Sequence, residues 1–109
     1  EIVWRGDEID LDELPIITCW PEDGGPYVTL TMVVSKDPKR GIRNVGMYRV
    51  QQLSRNTVAM HWQRHKVGAA HMREMAERGE TMPVCIVVGA DPASMYAASA
   101  PLPPMVDEF

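Results

Sequence analysis

A strictly alternating run at residues 27–35 constrains the fold of this chain more than any other feature. Apolar side chains occupy positions 28, 30, 32 and 34 of this run. Alternation with a period of two is the pattern of a β-strand that buries one face. Two more strand-like runs follow at residues 45–53 and 57–63, separated by Ser54, Arg55 and Asn56, which is the length of a hairpin turn. The sequence therefore predicts an antiparallel sheet.

The register of this hairpin makes a specific prediction. If the turn is centred on Arg55, residues that face each other have numbers that sum to about 110. Arg49 then faces His61, and Met47 faces Gln63. All four side chains leave the same face of the sheet, because strand periodicity is two. The pairing predicts a polar patch in the middle of the sheet.

Two helices and one more strand are predicted after the hairpin. Residues 68–78 carry Glu74 and Arg78 at a spacing of four, with Gly79 placed to end a helix. Residues 82–88 are apolar without alternation, which predicts a strand buried on both faces. Asp91 and Pro92 are an N-cap residue and a first-turn proline for a helix that runs to about residue 100. This order predicts an α+β fold with a small barrel or sheet.

The 109 residues are enough for one globular domain, and 45% of them are hydrophobic. The longest apolar run, residues 84–88, is far shorter than a membrane span, and no secretory signal opens the chain. Cys19 and Cys85 lie far apart in apolar segments, which favours reduced thiols and a cytoplasmic location. The chain starts at Glu1 and ends at Phe109 as a piece of a longer protein would. We expect residues 1–14 to be an acidic lead-in segment and residues 15–109 to be the domain.

Positive charge is concentrated in the middle of the chain. Residues 24–78 contain ten of the eleven lysines and arginines, and both flanking segments are acidic. This segregation predicts a local anion site, with solvated surface turns as the alternative. Lys66 precedes a helix start, where backbone N–H groups favour an anion, although an ordinary surface lysine fits the spacing too. His61 and His65 have zinc-ligand spacing only if the segment is helical, and the strand prediction for His61 argues against this. Asn44 follows the basic turn, where it fits either a metal or phosphate contact or a turn conformation.

Several motifs in order make the sequence resemble the central domain of the UbiD family of decarboxylases, over residues 6–109. The matching stretches are residues 43–49 (RNVGMYR), 60–66 (MHWQRHK), 89–92 (GADP) and 101–103 (PLP). The resemblance implies a split β-barrel fold like that of flavin reductases. It also implies reversible decarboxylation of aromatic or α,β-unsaturated acids with prenylated FMN, which a UbiX-type prenyltransferase supplies.

The resemblance also implies roles for individual residues. Asn44, His65 and Glu108 match the ligands of a divalent metal, usually Mn²⁺, and Arg49 matches the arginine that orients the substrate carboxylate. Backbone carbonyls at residues 98–100 match a K⁺ site. Val67 departs from relatives that have glycine there. The residues that match the cofactor-contacting stretches are Asn44, Met47, Tyr48, Arg49, His61, Trp62, Gln63, His65, Lys66 and Val67.

The family's catalytic acids and its oligomerisation domain align beyond Phe109. We therefore expect a homo-oligomer for the full-length protein, and no turnover by this piece alone. The function predicted is that of the cofactor- and metal-binding domain of a carboxy-lyase, without a nucleic-acid partner. Two alternatives are an ordinary FMN-binding reductase-like domain and a non-catalytic assembly module.

Overall fold

The computed structural model describes residues 1–103 and residue 106. The chain forms two compact units. The first comprises Glu1–Thr29 and Arg49–His61, and the second comprises Leu30–Tyr48 and the described part of Trp62–Phe109. The strands and α-helices are, in chain order, β1 Tyr27–Val28, β2 Thr31–Lys36, β3 Arg43–Met47, β4 Val50–Ser54, β5 Thr57–Met60, α1 Val67–Glu77, β6 Cys85–Val88 and α2 Pro92–Ser99.

The first unit contains an antiparallel sheet of strand order β1-β4-β5. Val50 lies opposite Met60 in this sheet, so residue numbers sum to 110 as predicted. The register shifts after Gln52, and the turn is tighter than expected. Beyond the strand ends, the His61 N–H donates to the Arg49 carbonyl at 3.0 Å. The predicted opposition of Arg49 and His61 is therefore confirmed.

The acidic N-terminal segment lies against this hairpin. It forms two short 3₁₀ turns, Gly6–Glu8 and Leu11–Glu13. The Leu11 N–H donates to the Arg55 carbonyl at 2.7 Å. The Gln52 amide donates to the Asp12 carboxylate, also at 2.7 Å. These bonds tie residues 1–14 to β4 and to the turn after it.

The second unit contains an antiparallel sheet of order β3-β2-β6. Met47 lies opposite Met32 of β2, so the predicted pairing of Met47 with Gln63 is wrong. The reason is that residues 27–35 and residues 45–53, each predicted to be a single strand, are each divided between the two sheets. The first breaks at residues 29–30 and the second at residues 48–49. Alternation continues across such a break, because both pieces are extended.

Strand β2 is covered on both faces. Met32 packs with Val45 of β3 and Ala98 of α2 in the apolar core. Successive side chains of a strand point to opposite faces, so Ser35 lies on the other face, where it contacts His71 of α1. β2 is therefore the central strand between the two helices of this unit.

Local signals located both helices correctly. The carboxylate of Glu74 binds the Arg78 guanidinium at 2.7 Å, and α1 ends before Gly79. The Asp91 carboxylate accepts hydrogen bonds from the N–H groups of residues 93 and 94, which caps α2. In contrast, β6 is not buried on both faces, since Cys85 and Val88 at its ends are exposed. An edge position explains this, because β6 has only β2 as a neighbour.

The described residues form a mixed α/β fold with two antiparallel sheets, and their strand pairs do not close a barrel. Neither helix in this part of the chain has the length and apolar character needed to cross a membrane.

Candidate anion- and metal-binding site

A cavity of about 410 Å³ lies in the second unit, beside the start of α1. The turn before β3, the loop before α1 and the helix itself form most of its wall. Seven basic side chains and two acidic ones line it. They are Arg40, Arg43, Arg64, His65, Lys66, His71 and Arg73, with Asp37 and Glu74. Such a surplus of positive groups around a concavity favours an anionic ligand.

Asp37 holds the turn that brings basic residues to this cavity. Its carboxylate accepts hydrogen bonds from the N–H groups of Lys39 at 2.8 Å and Arg40 at 2.9 Å. These two backbone bonds, Arg40 first, lower the pKa of Asp37 below its ordinary value of 3.8. The carboxylate therefore stays charged at neutral pH and serves the geometry of the turn.

Asn44 on β3 is the most informative residue of the cavity wall. Its side chain is buried, with 8% of its surface exposed. Its amide nitrogen has no hydrogen-bond partner among the described residues. A buried polar atom without a partner costs about 1–3 kcal/mol, so native proteins rarely keep one without a ligand, ion or water to satisfy it. Because an amide can be flipped, its oxygen can also occupy this position and face a cation.

The loop before α1 carries His65 and Lys66. Both side chains are exposed and line the cavity. The Arg73 guanidinium donates to the Arg64 carbonyl at 3.0 Å, and the Lys66 N–H donates to the Gln63 carbonyl at 3.0 Å. Lys66 is also the N-cap residue of α1. An ammonium group at a helix N-terminus adds to the positive end of the helix dipole.

His71 was missed by the sequence reasoning. It lies one turn after Val67 on the buried face of α1 and also lines the cavity. Its Nδ1 is 3.2 Å from the buried Ser35 hydroxyl. Burial lowers the pKa of His71 below 6.5, and the carboxylates of Asp37 and Glu74 oppose this effect. The spacing of four residues from Val67 indicates that His71 lies on the same helix face, but it does not indicate the contact with Ser35, which is distant in sequence.

The cavity brings together Asn44, His65, Lys66 and Val67 of the predicted site residues. Met47 instead packs against the apolar core of the second unit. The remaining predicted residues of this unit are Tyr48 and Trp62, which contact each other, and Gln63, which is exposed.

Arg49 and His61 belong to the first unit. The guanidinium carbon of Arg49 lies 5.8 Å from the centre of the Tyr27 ring, a cation–π distance. His61 follows β5, so the helical arrangement needed for a zinc pair with His65 does not form.

Glu108 lies outside the described residues. Within residues 1–103 and 106, no three His, Cys, Asp or Glu side chains cluster as a metal site. Of the three predicted metal ligands, the structure describes Asn44 and His65.

A family model and several relatives match this chain. The UbiD model, described as the 3-octaprenyl-4-hydroxybenzoate carboxy-lyase Rift-related domain, matches residues 1–109. An uncharacterized protein of Aquifex aeolicus is 50% identical over 109 residues, which is all of this chain and 22% of the relative. A protein of Archaeoglobus fulgidus is 50% identical over 100 residues, or 91% of this chain and 21% of the relative. The chain thus spans about a fifth of the length of these curated relatives.

Solved structures agree in fold. The UbiD-class enzyme HmfF from Pelotomaculum thermopropionicum, in complex with FMN, matches 94% of this chain with a TM-score of 0.88 and 28% identity. The match covers 23% of that enzyme chain. Vanillic acid decarboxylase from Sedimentibacter hydroxybenzoicus, in its closed form, matches 94% of this chain and 23% of its own with a TM-score of 0.90 and 28% identity.

The fold and the cavity together define a class of protein, a mixed α/β domain with a basic concavity. The match over all 109 residues makes the family specific: the chain belongs to the UbiD family.

Proposed function

We propose that this chain is the cofactor- and metal-binding domain of a UbiD-type carboxy-lyase. Its reaction would be the reversible decarboxylation of aromatic or α,β-unsaturated acids with prenylated FMN. The observation that carries the proposal is the buried amide of Asn44, which has no hydrogen-bond partner among the described residues and lies in a basic cavity, within a chain that the UbiD model matches throughout. A second structure of HmfF, a dimeric form in complex with prenylated FMN, adds support from a relative.

The metal would be a divalent cation, Mn²⁺ by resemblance, held by Asn44 and His65 together with Glu108. Amide, imidazole and carboxylate donors suit a hard or borderline divalent ion. The fit rests on Asn44, whose amide lacks a partner within the described residues although it is buried. A bound cation would accept the amide oxygen as a ligand, and an anionic oxygen would accept a hydrogen bond from the amide nitrogen.

The cofactor phosphate would be held by the basic wall of the cavity. Lys66 would supply a point charge at the N-terminus of α1, where the helix dipole also favours an anion. Val67 begins the helix beside it. Met47, Trp62 and Gln63 keep the cofactor-contacting role that the resemblance implies as part of this proposal. Tyr48 keeps its part in cofactor binding through the position that it gives to neighbouring residues.

Arg49 is the proposed catalytic residue, and its work would be to bind and orient the substrate carboxylate. A guanidinium stays charged at all relevant pH values and binds carboxylates in a bidentate manner. For His61, which is hydrogen-bonded to Arg49 through the backbone, we propose a cofactor contact. When bound, prenylated FMN supplies the electron sink for loss of carbon dioxide.

The remaining properties belong to the full-length protein and are proposals as well. They are a homo-oligomer, a split β-barrel completed in the whole fold, a cytoplasmic location, a UbiX-type prenyltransferase as cofactor supplier, and K⁺ bound at residues 98–100. The division into residues 1–14 and residues 15–109 also remains a prediction.

Asn44→Ala and His65→Ala in the full-length protein, co-expressed with a UbiX-type enzyme, test the proposal. We expect each variant to bind Mn²⁺ at least about 10-fold more weakly and to retain less cofactor. Asn44→Ala should not lower the stability of the metal-free protein, because it removes a buried amide that no described residue pairs with. Asn56→Ala, at an exposed turn position, is the matched control. Full retention of metal and cofactor by both variants would contradict the proposal.

An ordinary FMN-binding domain is the second candidate, and the FMN complex of HmfF favours it. It predicts that the protein binds unmodified FMN without a prenyltransferase. It also predicts that removal of divalent metal leaves cofactor binding unchanged. An assembly module, the third possibility, predicts that the protein purifies with neither group.

A further inference from the structure

The buried Tyr48 side chain connects the end of β3 to the start of α1. Its backbone is fixed to β2 at both polar groups. The Tyr48 N–H donates to the Thr31 carbonyl at 3.4 Å, and the Thr31 hydroxyl donates to the Tyr48 carbonyl. Thr31 is fully buried. The position of Tyr48 is therefore set by the sheet.

The phenol ring of Tyr48 reaches the loop and helix that follow the hairpin. Its hydroxyl oxygen accepts a hydrogen bond from the Gly68 N–H at 3.2 Å. Gly68 is in the first turn of α1, and the N-cap residue Lys66 has no side-chain acceptor to offer there. The hydroxyl of Tyr48 therefore does the work of a helix cap from a distant part of the chain.

The surroundings of the ring are shaped to admit it. The Tyr48 and Trp62 rings meet edge to face with centroids 4.8 Å apart. A Cβ atom at Gly68 would lie 2.4 Å from Trp62 and 2.8 Å from the Tyr48 hydroxyl. A Cβ atom at Gly46 would lie 2.8 Å from the Tyr48 ring. Glycine fits at both positions because aromatic rings occupy the space that a side chain would need: Tyr48 at Gly46, and Trp62 with Tyr48 at Gly68.

We propose that Tyr48 is a positioning residue that holds residues 62–68 against β3. This loop carries His65 and Lys66, and β3 carries Asn44. Tyr48 would act on metal and phosphate binding through the loop, since only 6% of its surface is exposed and its hydroxyl is already bonded. The inference deepens the proposed function and rests on it for the metal.

Tyr48→Phe in the full-length protein removes only the hydroxyl. Tyr96→Phe is the matched control, since Tyr96 on α2 is 80% exposed. Two readouts are needed: amide hydrogen exchange at Gly68, and the dissociation constant for Mn²⁺ alone, measured by electron paramagnetic resonance of the free ion. We expect exchange at Gly68 to be about fivefold faster in Tyr48→Phe, the effect of losing a helix cap. We expect Mn²⁺ binding to weaken about tenfold, the effect of losing a supporting contact.

The outcomes separate the claims. Normal exchange and normal Mn²⁺ affinity in Tyr48→Phe would overturn the inference. Weaker Mn²⁺ binding with normal exchange would overturn it too, because the effect would then not pass through the loop. Faster exchange with unchanged Mn²⁺ affinity would remove the positioning role. If the wild-type protein binds no Mn²⁺, the metal part of the proposed function fails, and normal exchange at Gly68 would still refute the anchoring by Tyr48.

Discussion

The buried pair Ser35 and His71 makes a quantitative prediction about stability. Both side chains are more than 90% buried, and the Ser35 oxygen lies 3.2 Å from Nδ1 of His71. Ser35→Ala leaves the imidazole nitrogen without its partner, and His71→Leu leaves the hydroxyl without one. Each single change should lower local stability by about 1–3 kcal/mol, because it leaves a buried polar group without the hydrogen bond that replaced its bonds to water.

The double variant is the decisive measurement. With both polar groups gone, neither is left unpaired, so we expect the double change to cost at least about 1 kcal/mol less than the two single changes added together. Native-state hydrogen exchange of the β2 and α1 amides in the full-length protein gives the local free energies. Ser54→Ala removes an exposed hydroxyl that is 3.4 Å from Asn56, and should cost less than about 0.5 kcal/mol. Simple additivity of the single changes would refute the reasoning.

The same histidine predicts a pH dependence. Burial lowers the pKa of His71 below 6.5, and the charges that face it, Asp37 from the turn and Glu74 from its own helix, only partly oppose this. Glu74 is itself paired with Lys39 at 2.9 Å. The unfolded chain therefore takes up a proton at His71 before the folded chain does, and stability falls as pH drops through 6.5 toward the lower folded pKa. Protection of α1 amides should follow this trend, and His71→Leu should remove this contribution. A His71→Leu protein with an unaltered pH profile would contradict it.

Two further substitutions follow from close contacts. Gly68→Ala should lower the stability of the first turn of α1 by about 1–3 kcal/mol, because the added methyl group would clash with Trp62, although alanine is the better helix former by about 1 kcal/mol. Gly24→Ala is the control, since its Cβ atom would make only ordinary contacts. A Gly68→Ala protein as stable as wild type would disprove this close packing. Tyr27→Leu should weaken exchange protection of the β1–β4 pair by about 0.5–1 kcal/mol through loss of the Arg49 contact, and Tyr27→Phe should restore it. Equal protection in the Leu and Phe variants would show that the cation–π contact contributes nothing.

Local signals made the helices predictable. Asp91, followed by Pro92, specifies the start of α2 because its carboxylate accepts hydrogen bonds from the first turn. Gly79 ends α1 because glycine readily adopts the positive φ that follows a helix. The β4–β5 register also matches the prediction between residues 50–52 and 58–60, although the turn is shorter than expected and the register shifts after Gln52. Each of these features depends on neighbours in sequence.

Strand partners were not predictable on the same basis. The run from Val45 onward continues its extended backbone past Tyr48, but the two parts pair with different sheets. Which strand a segment joins depends on contacts such as Met32 with Met47, which no periodicity encodes. For this reason the predicted pairing of Met47 with Gln63 did not form.

The candidate site was predicted in part. Asn44, His65 and Lys66 were named from motifs, and the structure places all three on one cavity wall. His71 escaped notice because its importance comes from Ser35, which is 36 residues away. The capping role of Tyr48 likewise depends on Gly68, a contact that only the folded chain reveals.

Mass spectrometry with metal analysis of the full-length protein, co-expressed with a UbiX-type prenyltransferase, tests the central claim most directly. We predict prenylated FMN bound together with about one Mn²⁺ per chain, as expected if Asn44, His65 and Glu108 hold the metal. Unmodified FMN without metal, or a protein free of both, would contradict it.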